Sequence, residues 1–363
     1  MKITSLKTFV VEIPFHDGGK EKVITPLTWH TLENVLIRVE DELGNVGWGE
    51  AFGYFVSDSV RAMIDRLIAP LIVDQTVSDI PAWNLDAQLR LHIFGRYGVT
   101  LFGLSGVDMA LWDLKARREG VPLHRLLGAT VRESIPTYAS LVRYNDNVIG
   151  PATCERALRE GFKTIKLHEN VLDHIAACRR AIGDDVPLAT DVNCSWTVED
   201  TREWLPALAE LNLAWLEEPI FPPEDFVALS SLRGKGVDIS AGENWCTAVQ
   251  FENALAAGAV DSIQPSVTKV GGISECLRIA ELASRYDTLV LPHSPYFGPG
   301  LLATLHLAAV QPDVPLVEYH YVQTDGWLYD VKGLLDNGAM HVPTGHGLGL
   351  DLNLDVFERF LKN

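Results

Sequence analysis

The amino-acid sequence predicts a parallel β/α barrel preceded by an α+β segment, and three observations carry that prediction. From about residue 126 to 321, short apolar runs alternate with helical stretches eight times. The preceding 125 residues or so read instead as strands followed by helices. Three acids, Asp191, Glu217 and Glu243, end or closely follow three consecutive apolar runs, each separated from the next by 26 residues, which is about the length of one β/α unit.

The elements are justified in order. Residues 1–50 alternate apolar and polar positions as strands do. Val35 to Glu40 is followed by the turn residues Gly44 and Asn45, and Val46 to Glu50 begins a paired strand. From about Asp58 to Gly120 the period lengthens. Val60, Met63, Ile64, Leu67 and Ile68 recur at helical spacing, as do Val107, Ala110, Leu111 and Leu114, before Gly120 and Pro122 close the helix. The barrel strands are then I-P-T-Y-A, F-K-T-I-K-L, V-P-L-A-T-D, L-A-W-L-E, D-I-S-A-G-E, S-I-Q-P, L-V-L-P-H and L-V-E-Y. Helices of 10–15 residues such as 198–210 and 273–286 separate them. No G-x-G-x-x-G follows a first strand, so nothing supports a doubly wound open sheet. This divides the chain into a capping domain (1–125), a barrel (126–325) and a C-terminal segment (326–363) that returns to the cap through G-H-G-L-G-L-D-L.

Composition bounds the function. The 363 residues carry a formal charge of −18, which argues against nucleic acid as a partner. No run approaches 18 apolar residues, so no membrane span is expected. The N-terminal apolar run is broken by charge too early for a signal peptide. Five widely spaced cysteines without a C-x-x-C pair suggest reduced thiols in a cytoplasmic protein.

Equal spacing puts Asp191, Glu217 and Glu243 side by side on the rim where barrel enzymes do their chemistry. Three carboxylates forced together repel unless a cation holds them. An all-oxygen set suits Mg²⁺ rather than zinc. On the second strand, Lys166 and His168 share a face because strand side chains alternate.

These motifs carry a resemblance. D-V-N (191–193), W-L-E-E-P (215–219) and G-E-N-W (242–245) resemble the metal-ligand motifs of the enolase superfamily, in its mandelate racemase/muconate lactonizing enzyme family. G-V-D-M-A-L-W-D-L-K (106–115) and Q-P-S-V-T-K-V-G-G-I (264–273) extend the likeness over nearly the whole chain. The resemblance implies a modified (β/α)8 TIM-type barrel, (β/α)7β, under a cap completed by the C-terminal tail. It makes Asp191, Glu217 and Glu243 ligands of Mg²⁺, with Asn193 as their neighbour or a substrate contact and Glu218 as a neighbour rather than a ligand. Lys166 matches the family's carboxylate-contacting lysine, and His168 stands where a lysine base is usual. Next to Lys166 and a metal ion, its imidazole is expected to have a depressed pKa. His293 matches the histidine of the family's His-Asp dyad, but Ser266 stands where the dyad has Asp. Glu318 matches the acid that hydrogen-bonds the enolate. Lys269 is read as structural. Lys20, Lys22, His30 and Tyr54, in loops near the mouth, are candidate substrate contacts.

The implied chemistry is Mg²⁺-dependent removal of the proton α to a carboxylate on a small hydroxy or sugar acid. Dehydration is preferred because an unpaired His293 suits a general acid. Racemisation or epimerisation, and lactone cycloisomerisation, share the same first step. A zinc hydrolase lacks its H-x-H ligands, and a non-catalytic binding protein would not need all three acids and both histidines. A homo-oligomer is expected.

Overall fold

The computed structural model describes residues 1–19, 22–24, 27–129 and 131–362. Three strands, Ile3–His16, Thr31–Asp41 and Val46–Phe52, form an antiparallel sheet with Val10 opposite Val35 and Val35 opposite Ala51. Val35, Leu36 and Ile37 are all fully buried, so both faces of this sheet are covered near its centre. The long helix Val99–Glu119 covers one face. The C-terminal helix Leu354–Phe360 covers part of the sheet through Phe357, which sits 5.2 Å ring to ring from Phe9.

The expected helical stretch from 58 to 120 is broken into pieces. Ser57–Met63 runs on through a π turn to Ile68 and a tight turn holding Pro70. Ile80–Leu91 follows, started by Asp79, whose carboxylate accepts the Ala82 N–H at 2.9 Å. Gly95 and Gly98, at φ of 107° and 58°, separate it from Val99–Glu119. Gly120 ends that helix in the left-handed conformation. The sheet and the long helix meet backbone to backbone. A Cβ on Gly49 would lie 2.0 Å from the Gly106 carbonyl oxygen and 2.7 Å from the Ala110 nitrogen. Gly49→Ala therefore separates the two layers, and we expect a loss of about 3 kcal/mol or more in a urea titration.

The barrel strands are Ser134–Ser140, Ile165–Leu167, Leu188–Asp191, Leu213–Glu217, Ile239–Ala241, Ser262–Ile263, Leu289–Val290 and Val317–His320. Each pairs in parallel with its predecessor through the seventh, and the eighth pairs in parallel with the first. All eight fall on the predicted apolar runs. Seven helices follow the first seven strands, and none follows the eighth before the C-terminal segment returns to the cap. The fourth, Phe226–Leu232, has 7 residues rather than the expected ten or more. Pro222 and Pro223 delay its start, and Gly234 and Gly236, both at positive φ, follow its end.

Two buried acids bolt the cap to the barrel. Asp108 accepts the Ser274 N–H at 3.0 Å and the Ser274 hydroxyl at 2.6 Å, at the start of the helix Ile273–Arg285. Glu50 accepts the Gly300 N–H at 2.8 Å, at the start of Pro299–Val310. Each places a carboxylate where helix N–H groups converge, and burial pushes both up to about 7. The tail is also tied in. Leu348 N–H donates to Asp113 at 2.7 Å, Gln323–Thr324 pairs with Phe15 and His16, and Lys362 N–H donates to the Val10 carbonyl at 2.8 Å. No helix among the described residues is long and apolar enough to cross a membrane, and the five cysteines are free.

His306, fully buried in the helix Pro299–Val310, lies with Nε2 3.1 Å from the Leu348 carbonyl and Nδ1 3.0 Å from His124 Nδ1. The carbonyl can only accept, so Nε2 donates and the neutral Nδ1 accepts. Burial pushes His306 down from 6.5 to about 3. The unfolded chain therefore binds a proton that the native chain refuses between those values. This residue's contribution to stability is complete above pH 6.5 and falls by about 1.4 kcal/mol per pH unit as pH drops towards 3. His306→Gln should flatten the acid limb of a stability–pH curve by that slope, measured by urea unfolding at pH 7 and 5.

Candidate active site

The barrel strands deliver every candidate residue to one rim. Asp191 and Glu217 end the third and fourth strands and sit opposite each other in register. Glu243 lies two residues beyond the fifth strand. One carboxylate oxygen from each of the three lies within 4.8 Å of the others, so the regular spacing does converge on a common centre. Asn193 holds the first of them, its backbone N–H donating to Asp191 Oδ1 at 2.7 Å and its side-chain amide to Oδ2 at 3.0 Å. Trp215 Nε1 donates to Glu217 at 3.0 Å.

Lys166 is fully buried, 2.7 Å from Glu217, 2.9 Å from Glu318 and 3.9 Å from Asp191. Burial alone would drive its ammonium towards neutrality, but Glu217 first and Glu318 next hold its pKa well above the usual lysine value. In turn, Lys166 holds Glu318 down to about 2 against burial. The same cation does not suffice for Glu217, which burial pushes up to about 7 with Asp191 adding to the rise. Burial and the nearby Glu243 push Glu218 well up as well. Its Oε2 accepts the Asn244 amide at 2.6 Å while its Oε1 has no protein partner.

From the protein's own groups alone the His168 pKa is raised; the depression expected from sequence is that of the metal-bound site. Burial does act to lower it, but Nε2 lies 3.4 Å from Asp191, and that carboxylate outweighs Lys166. The expected depression needs a further cation on Asp191. His168 Nδ1 bonds to the Leu141 carbonyl, which fixes the ring so that Nε2 faces the acids.

His293 stands on the opposite flank, with Nε2 2.6 Å from Glu243. His293 and Lys269 hold Glu243 well below the carboxylate range despite its burial. Lys269, read from sequence as structural, lies at the edge of the site, 3.2 Å from Asn244 and 3.9 Å from Glu243. Ser266 does not reach His293. Its hydroxyl is 2.6 Å from the Tyr296 phenol, whose oxygen is 3.5 Å from His293 Nδ1. A neutral phenol thus stands where a dyad would place a carboxylate. Tyr54 donates to the Pro295 carbonyl at 2.7 Å, and His30 is exposed. Lys20 and the Lys22 side chain lie outside the described residues.

The sequence reading missed several neighbours. Arg143 donates to the His168 carbonyl and to Asn193 Oδ1, the latter at 3.0 Å. It falls in the loop after the first strand, where no periodicity points to it. Tyr296 was hidden in the same way. His320 carried a legible signal, because it follows Glu318 by two positions on one strand and so shares its face.

The donor set fits a hard divalent cation. All three converging atoms are carboxylate oxygens, both histidines contact acids, and the buried acids outnumber the cations that touch them. Comparison with known proteins agrees. Residues 151–356 match the family model described as Enolase C-terminal domain-like, and residues 16–128 match the Mandelate racemase / muconate lactonizing enzyme N-terminal domain. A D-galactarolactone cycloisomerase of Agrobacterium fabrum is 32% identical, covering 99% of both chains. An arabinonate dehydratase of Saccharolobus solfataricus is 31% identical, covering 95% of both. Among solved structures, a racemase from Streptomyces coelicolor with bound magnesium superposes with a TM-score of 0.87 at 27% identity, over 99% of this chain and 100% of that one. The converging acids, the barrel that carries them and the two matched domains together make this chain an enzyme of the enolase superfamily, in the mandelate racemase/muconate lactonizing enzyme family.

Proposed function

We propose that the enzyme removes the proton α to the carboxylate of a sugar acid, with Mg²⁺ held by Asp191, Glu217 and Glu243, and that the outcome is dehydration to a 2-keto-3-deoxy acid. The observation that carries this reading is the placement of His168 and His293 on opposite flanks of one carboxylate triad, 3.4 Å and 2.6 Å from its members. When bound, Mg²⁺ would neutralise the second negative charge that develops on the substrate carboxylate oxygens. Lys166, charged and buried, sits where it can share that charge. His168 takes the α-proton through Nε2, because Nδ1 is committed to Leu141. Glu318 can donate a hydrogen bond to the enolate oxygen only when protonated, which needs Lys166 to shift its charge from Glu318 to the substrate. His293 gives a proton to the departing β-hydroxyl, its Nδ1 facing the Tyr296 hydroxyl, which can donate to it and leave the ring proton on Nε2.

Named relatives support this class. D-xylonate dehydratase of Haloferax volcanii and D-galactonate dehydratase of Verminephrobacter eiseniae are 29% and 28% identical. The same two-flank geometry also allows a proton to return to the other face, which is the racemase or epimerase reading. The cycloisomerase relative keeps lactone cycloisomerisation as a third fate of the same intermediate.

The test is α-proton exchange in D₂O, followed by NMR across five- and six-carbon sugar acids, together with keto-acid formation. We expect exchange that a chelator abolishes and added Mg²⁺ restores. Exchange in none of the acids, with or without Mg²⁺, would remove the catalytic reading and favour a binding protein.

A further inference from the structure

The interior of a β/α barrel is filled in layers, each taking one side chain from every second strand. Here the strand register gives the step between neighbours in a layer. Ala189 of the third strand pairs with Lys166 on one side and Trp215 on the other. Two residues beyond Trp215 is Glu217, whose carboxylate lies 2.7 Å from Lys166. The same step links the eighth strand to the second. Glu318 pairs with Tyr138, and Ala139 pairs with Ile165. Tyr138 is therefore level with Thr164, two residues before Lys166, and Lys166 lies 2.9 Å from Glu318. Taken on from the fourth strand to the sixth, the step ends at Gln264. Ser240 pairs with both Glu217 and Ser262, and Gln264 is two residues beyond Ser262.

Gln264 faces into the barrel. Its neighbour Pro265, with Val290 and Pro292 of the next strand, lines a gap shared with Ile279 and Leu307 of the outer helices. Strand side chains alternate, so Gln264, Leu291 and His293 point the other way. Lys166, Glu217, Gln264 and Glu318 thus form one layer, from the second, fourth, sixth and eighth strands. Tyr138, Trp215 and Leu291 pack together inside the same barrel. Gln264 is fully buried, yet neither its amide nitrogen nor its amide oxygen has a partner. Its layer mates do not call on it. Lys166 and the Trp215 indole serve the two oxygens of Glu217, while Lys166 and the Ser294 N–H serve those of Glu318. Buried polar groups of folded proteins are nearly always paired, and an unpaired one at a site points to a ligand.

We propose that Gln264 is a further substrate-binding residue, whose amide nitrogen donates a hydrogen bond to the substrate carboxylate. That carboxylate is to be met by Lys166 and Glu318 of this same layer, and Gln264 is the corner of the layer facing Lys166. A carboxylate can only accept, so the amide presents its nitrogen and not its oxygen. The bond strengthens as negative charge grows on the carboxylate oxygens during removal of the α-proton. Being uncharged, the donor does this without competing with Lys166 for the two glutamates. The inference rests on the α-proton reading above and adds a residue to it.

Gln264→Met tests it, because methionine keeps the length of the side chain and removes the amide. In the ligand-free full chain the variant deletes an unpaired polar group, so its Tm should equal or exceed the parent's. With Mg²⁺ bound, calorimetric titration with oxalate, which reproduces only the charged end of the substrate, should show roughly 10–100-fold weaker binding. Mg²⁺ affinity should stay within about threefold, and α-proton exchange should slow by a factor on the order of 10². Gln264→Asn retains an amide one carbon short and should fall between parent and methionine; it carries the test if the methionine variant does not fold. Oxalate affinity unchanged in the variants, no oxalate binding to the parent, or a lower Tm without ligand, as expected of an amide that holds a structural water, would each overturn the proposal. Titration needs no turnover. Oxalate binding that depends on Gln264, in an enzyme that exchanges no α-proton, would therefore uphold this inference and sink the dehydratase reading.

Discussion

Lys166→Met is expected to lower kcat/KM by a factor on the order of 10³ or more and to destabilise the metal-free protein by about 3–5 kcal/mol. The two effects have one origin. Lys166 is fully buried, and its ammonium touches Glu217 at 2.7 Å and Glu318 at 2.9 Å. Methionine fills much of the same space but leaves those two acids and Asp191 facing each other without the cation that neutralised them. In the folded metal-free chain they must take up protons or move apart. A divalent ion answers part of the same repulsion, so saturating Mg²⁺ should recover stability while leaving the rate low. Thermal melts with and without Mg²⁺, beside steady-state kinetics, separate the two. A variant within tenfold of the parent in kcat/KM would show that Lys166 only holds the acids in place.

Replacing the two histidines should give unequal results. His168→Asn is expected to lower both α-proton exchange and keto-acid formation by roughly 10²–10⁴-fold. His293→Asn should stop keto-acid formation to a similar degree while substrate recovered from D₂O still carries deuterium. The asymmetry follows from what stands behind each ring. His168 Nδ1 is bonded to a backbone carbonyl, and Nε2 faces Asp191. His293 Nδ1 faces the Tyr296 phenol at 3.5 Å, which, unlike a carbonyl, can donate to Nδ1 and leave the ring proton on Nε2. If His293→Asn loses exchange as completely as His168→Asn, both rings move the α-proton, and the racemase or epimerase reading takes over.

The barrel was legible because its signals are local. Eight apolar runs and the regular interval between Asp191, Glu217 and Glu243 need only strand periodicity and repeat length to be read, and the structure puts all three acids within 4.8 Å of one another. Residues governed by contacts between distant segments were not legible. Burial lowers the pKa of His168, and Asp191, on the neighbouring strand and 3.4 Å from Nε2, outweighs it. Ser266 was placed at the dyad position by sequence, but its bond to Tyr296 runs through a loop without periodicity. The helix breaks at Pro70 and Gly95 were written in the sequence and were overridden by the apolar period around them.

The return of the tail to the first strand also bears on how the molecule assembles. Lys362 bonds to Val10 across nearly the whole length of the chain. Contacts between such remote positions bear a large loop-closure entropy and tend to form late. The barrel, built from neighbours in sequence, can therefore set its acids first. The end of the first strand, where Gln323–Thr324 pairs with Phe15 and His16, is completed only by the returning tail. The sheet of the cap thus draws on both ends of the chain.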